Sequence, residues 1–101
     1  MKVHWTESAE AHLDAIYAYI AQNSQTYALR MVDRITQRSQ QIAAFPLSGR
    51  RVPEYDIDQI REVFCGPYRL IYHIRSDQID VLAVVHGAQN ALREDKAEDN
   101  A

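Results

Sequence analysis

Three runs rich in β-branched and aromatic residues, Ile60 to Cys65, Tyr68 to Arg75 and Ile79 to Val85, are separated only by Gly66-Pro67 and Ser76-Asp77-Gln78. Connections that short cannot carry a crossover, so the runs predict three neighbouring antiparallel strands, a meander. In the middle run Tyr68, Leu70, Tyr72 and Ile74 alternate with Arg69, Ile71, His73 and Arg75. The first set needs an apolar cover. The second predicts a polar, partly basic face, open to solvent unless something binds there.

The cover lies upstream. Thr6 reads as a helix N-cap, with Glu7 and Glu10 in the first turn at the positive end of the helix dipole. Ala9, Leu13, Ile16, Tyr17 and Ile20 then recur at helical spacing to about Ala21. Asn23, Ser24 and Gln25 interrupt, and a second stripe at Ala28, Met31, Val32, Ile35 and Ile42 runs into Phe45-Pro46. Two helices joined this closely fold back on each other. Arg30, Asp33, Arg34, Gln37 and Arg38 fall off the stripe. The simplest reading of that arginine row is a solvated helix face, with a nucleic-acid contact as the alternative.

Val3 and Trp5 alternate with Lys2 and His4 in a short opening strand, which needs an edge or a gap beside the meander. From Pro46 to about Gln59, two prolines and Gly49 predict a long connection without regular structure, of the kind that often serves function. The order β-α-α-β-β-β predicts an α+β two-layer domain, its helix hairpin packed on one face of a mostly antiparallel sheet.

At 101 residues the chain has room for one core, which excludes a multi-domain enzyme with its own cofactor fold. Cys65 is the only cysteine, so it forms no intramolecular disulfide and supports no zinc site; neither cofactor nor metal is implied. The N-terminus lacks a signal-peptide pattern, and no run approaches the roughly 18 apolar residues of a membrane span, so a cytoplasmic protein without a membrane partner is expected.

The net charge of −3 is unevenly placed. Residues 94 to 101 hold four acids and one base, a sum of −3, whereas residues 1 to 93 hold ten of each sign. We therefore expect a neutral domain over residues 1–93 and a frayed acidic tail over 94–101. Eight arginines against five acids between residues 30 and 75 leave room for a locally basic surface.

Several pieces, in order, resemble the ParE/RelE toxin superfamily of bacterial type II toxin–antitoxin modules. They are Trp5-Thr6-Glu7-Ser8-Ala9, Leu13, Ile16, Tyr19-Ile20, Phe45-Pro46, Gly49-Arg50, Tyr68-Arg69-Leu70-Ile71-Tyr72 and Val81 to His86-Gly87. The resemblance implies a toxin, in some settings tied to plasmid stabilisation, that a cognate antitoxin neutralises by wrapping it. ParE-like members act on DNA gyrase, and RelE-like members cut messenger RNA on the ribosome.

Cutting RNA requires a base, an acid and cations around the phosphate. Arg69 matches the superfamily arginine that follows the strand tyrosine, and Arg61 lies near earlier basic positions. The nuclease style of YoeB implies Glu54, Arg69 and His86, with Glu54 or His86 as base. No tyrosine follows His86, however, and Gln89 stands near the position where RelE-like toxins carry arginine. The bland readings are that Arg69 pairs with Glu62 or another acid across the meander, and that His86 is a framework residue. The reading that results is ParE-like, without chemistry of its own. Arg61, Arg69, His73, Arg75, Tyr17 and Tyr19 are the candidates for contacting antitoxin or target, and the groove between helix hairpin and sheet is where an antitoxin tail would dock. The alternatives are a ribosome-dependent nuclease and a non-toxic module that only binds its antitoxin.

Overall fold

A computed structural model describes residues 1–87. The acidic tail and the end of the expected domain lie outside the described residues. The elements run β1 (Lys2–Trp5), α1 (Glu7–Ala21), α2 (Gln25–Ala44), a 3-10 turn at Pro46–Ser48, β2 (Arg50–Arg51), β3 (Ile60–Cys65), β4 (Tyr68–Ile74) and β5 (Gln78–His86). They form an α+β domain, two helices on a five-stranded mixed sheet of order β1-β5-β4-β3-β2.

The meander forms with the expected pairing, and β1 adds to its outer edge, parallel to β5 from Lys2 opposite Gln78 to Trp5 opposite Val81. Both helices begin at their predicted caps: the Thr6 and Ser24 side chains accept the backbone N–H groups of Ala9 and Tyr27. The alternation in β4 also holds. Leu70 and Tyr72 join Met31, Ile35 and Ile42 of α2 and Val81 of β5 in the main core, with Val3 and Trp5 packed against it.

Two expectations are overturned. The connection from Pro46 to Gln59 contains regular structure: a 3-10 turn, then Arg50 and Arg51 paired with Glu62 and Arg61 of β3. Sequence pattern alone does not reveal so short a strand, because its hydrogen bonds come from a partner ten residues away. The far face of the sheet is also covered. Val52, Ile71 and Val85 form a second small core, with Tyr55, Ile60, Leu82 and Ala83 packed around it. Asp56 takes a left-handed backbone (φ 52°) in the turn after Val52, a conformation that aspartate tolerates better than most residues. Of the predicted polar face, only His73 and Arg75, at the far end of the meander, retain substantial access to solvent.

Candidate functional site

Under that cover lies a chain of four charges. Arg50 and Glu62 face each other across β2 and β3, with Arg50 Nε 2.6 Å from Glu62 Oε2. Glu62 and Arg69 sit diagonally across β3 and β4, and Arg69 Nε donates to Glu62 Oε1 at 2.7 Å. The outer edge of the Arg69 guanidinium is then closed from the connecting loop, where Glu54 accepts from Nη1 at 2.9 Å and from Nη2 at 2.8 Å. This fork-on-fork geometry is the strongest that arginine makes with a carboxylate. Arg69 is 4% exposed and Glu62 1%. Two guanidiniums and two carboxylates sum to zero, which is how charges at this depth avoid a prohibitive desolvation cost. The hydrogen bond to Glu54, reinforced by Glu62, raises the Arg69 pKa further despite the opposing effect of burial.

Next to this chain, β2 is seated by a close approach. The Tyr72 hydroxyl accepts the Gly49 N–H at 3.1 Å and donates to the Pro46 carbonyl at 2.6 Å. A Cβ at Gly49 would lie 2.5 Å from that hydroxyl oxygen and 2.6 Å from the Glu62 carbonyl oxygen, so the position requires glycine on steric grounds. Arg61 donates to the carbonyls of Gly49 and Asp58, both at 2.9 Å, and thereby ties the two ends of the connection together.

On the helix side, α1 and the ends of β4 and β5 leave a mainly apolar groove of about 460 Å³, bounded by Ile16, Tyr19, Tyr68, Val84 and His86. The Tyr68 and His86 rings meet edge to face with centroids 6.0 Å apart. Burial, with smaller effects from Tyr19 and Tyr27, raises the Tyr68 pKa, so the phenol is neutral at physiological pH. Tyr19 is 71% exposed on the groove rim. Tyr17 is half-buried, and its hydroxyl accepts from Gln25 Nε2 at 3.2 Å across the helix junction.

Of the residues singled out by sequence, the structure brings Arg69 and Glu54 together and separates both from His86. Arg69 and Val85 are paired on one face of the sheet, whereas His86 is paired with Tyr68 and shares the helix-side groove. The bland reading of Arg69, an ion pair with Glu62, is the observed one, with Glu54 as a second partner. Arg75 reaches Asp80 at 3.4 Å. Sequence reasoning missed His12, whose Nδ1 accepts the Val84 N–H at 3.2 Å and so carries no proton. The only signal was its position one residue before Leu13 on the apolar stripe.

Residues 3–91 match the family described as the ParE toxin of the type II toxin-antitoxin system parDE. Toxin RelE2 of Caulobacter vibrioides is 32% identical over 89 residues, covering 87% of this chain and 97% of that protein. Protein Y4kP of Sinorhizobium fredii, described as a candidate toxin, is 34% identical over 90 residues, covering 87% of this chain and 90% of its own. The fold is shared with a solved chain of the chromosomal ParDE system of P. aeruginosa, at a TM-score of 0.71 and 24% identity, with 85% of this chain and 95% of that one covered. It is also shared with a YoeB/ParE toxin from Agrobacterium tumefaciens, at 0.60 and 18%, with 85% and 98% covered.

Proposed function

The chain belongs to the ParE toxin family of type II toxin–antitoxin systems, and from that premise we propose that it acts by binding DNA gyrase and blocking supercoiling. Family membership makes it the toxin of a module whose partner is an antitoxin. The observation that favours protein binding over chemistry is the state of Arg69. Both edges of its guanidinium are taken by carboxylates, its charge is cancelled, and a folded loop closes it from solvent. A phosphate would have to displace Glu54 to reach it. His86, the other group that a nuclease of the YoeB style would use, opens on the opposite face of the sheet. For the antitoxin, this reading takes the groove between α1 and the ends of β4 and β5, where apolar walls suit an amphipathic tail. Arg61, Arg75 and His73 then lie on other surfaces, leaving Tyr19 on the groove rim as the sequence candidate best placed to meet that tail.

Purified protein added to gyrase and relaxed plasmid should inhibit supercoiling, and addition of the neighbouring antitoxin should restore it. Normal supercoiling at saturating toxin would sink the proposal. The similarity to RelE2 supports a second reading, a ribosome-dependent nuclease. Primer extension on messages after induction would then show new 5′ ends within codons. If neither effect appears while the antitoxin still binds tightly, the chain is an interaction module without toxicity.

A further inference from the structure

Two features of the sequence remain outside the function just proposed: the arginine row on α2 and the acidic segment after residue 93. We propose that they bind each other, the segment Glu94–Asp99 docking in an arginine groove of its own chain and screening it from other polyanions. The groove has a volume of about 250 Å³, with Arg34, Arg38 and two glutamines of α2 on one wall and Phe64 and Gly66 of the β3–β4 hairpin on the other. Its lining holds guanidiniums and amides and no carboxylate. Among the described residues Arg34 has no ion-pair partner, and Arg38 donates only to the neutral Gln41 Oε1, at 3.0 Å. Arg50 extends the positive edge, its guanidinium carbon 5.3 Å from the centroid of the Phe64 ring.

The chain leaves the described structure beside this groove. Gly87 donates its N–H to the Pro67 carbonyl at 2.7 Å, and a Cβ on Gly87 would lie 3.8 Å from Phe64 Cε1. Residues 88 to 93 span about 20 Å when extended, enough to carry the next segment along the groove. That segment, Glu94-Asp95-Lys96-Ala97-Glu98-Asp99, holds four acids and one base, a charge of −3. An external acidic ligand would need to find the groove by diffusion. The chain's own acids are held next to it at high effective concentration. This inference does not depend on the target of the toxin, since it concerns a surface distant from both Arg69 and the α1 groove.

A spin label on Ala97→Cys in a Cys65→Ala background of the full chain tests the contact by NMR. At low salt the amide signals of Arg34, Arg38 and Gly66 should be strongly attenuated. One exposed ion pair shifts such an equilibrium by about 1.5- to 5-fold, so two acting together give about tenfold. Arg34→Gln with Arg38→Gln should therefore restore most of the signal, as should added salt. Attenuation that is unchanged in the double arginine variant, or confined to residues beside Gly87, overturns the proposal. Heparin affinity supplies an independent reading on unlabelled protein. Neutralising Glu94, Asp95, Glu98 and Asp99 to their amides should raise the eluting salt concentration, and the increase should vanish when Arg34 and Arg38 are also neutral. An increase that persists in the arginine variant would mean that net charge alone is responsible, and would equally overturn the proposal.

Discussion

Arg69 is held by Glu62 from the neighbouring strand and by Glu54 from the loop above, so removing its side chain strands two buried carboxylates at once. Breaking a buried pair in this way costs about 3–5 kcal/mol. Arg69→Ala should therefore lower stability by about that amount in urea denaturation, well beyond the effect of the exposed Arg75→Ala. It follows that loss of toxicity in Arg69→Ala does not identify a catalytic group unless folding is measured alongside. Gly49 poses a packing problem of the same locality. Gly49→Ala should cost about 1–3 kcal/mol because the new methyl meets the Tyr72 hydroxyl and the Glu62 carbonyl. In a Tyr72→Phe background the first of those collisions disappears, so the cost of Gly49→Ala should be smaller there; equal costs would mean that the backbone contact alone decides. The sequence made Arg69 and Glu62 visible as a cross-strand pair. It left Glu54 uncertain because a loop of unspecified path does not say which side chain arrives over β4.

At the scale of elements, the outer edge of β5 shows how a helix start substitutes for a strand. β1 pairs with β5 only as far as Val81. Beyond that point the Thr6 N–H donates to the Val81 carbonyl at 3.1 Å, its hydroxyl donates to the same oxygen at 2.8 Å, and His12 accepts from the Val84 N–H. The pairing of β4 with β5 shifts register in this region, between Ile71 and Tyr72, as a bulge does when it redirects a strand. Thr6→Ala should thus cost about 1–2 kcal/mol, the upper end for an N-cap, because the sheet loses a donor together with the helix. His12→Ala should cost about 1–3 kcal/mol through the orphaned Val84 N–H. Hydrogen exchange at Val84 should rise in His12→Ala more than in Thr6→Ala, and the reverse order would contradict the assignment of His12 as its partner. The cap at Thr6 was legible from residue type and spacing. Its second role, and that of His12, depend on where β1 stops, which the strand pattern does not encode.

For the whole molecule, two phenols couple stability to alkaline pH. Burial is the main cause holding Tyr72 and Tyr68 above the ordinary 10.0, against a lowering bond from Gly49 in the case of Tyr72. The unfolded chain releases these protons near pH 10, whereas the folded chain releases them only at higher pH. Their contribution is therefore complete below pH 10 and declines as pH rises through the folded values. Urea midpoints measured from about pH 8 to about pH 11 should fall above about pH 10, and the fall should be shallower in Tyr68→Phe. A midpoint unchanged across that range would show that neither phenol is held protonated by the fold.

The same scale separates what each level of information decided. Alternation with period 2 in three closely spaced runs and with period 3.6 in two upstream ones is a local property, so the helix hairpin, the meander and the α+β class follow from the sequence alone. The edge taken by β1, the two-residue β2, the folding of residues 52–59 onto the far face and the closure of Arg69 by Glu54 join residues distant along the chain. Alternation places Arg69 and His86 in their strands but does not state which faces remain open, because that depends on whether a loop finds enough apolar surface to settle on. Here Val52 meets Ile71 and Val85. That contact, and the carboxylate it carries over Arg69, turned an expected basic surface into a neutral, buried one.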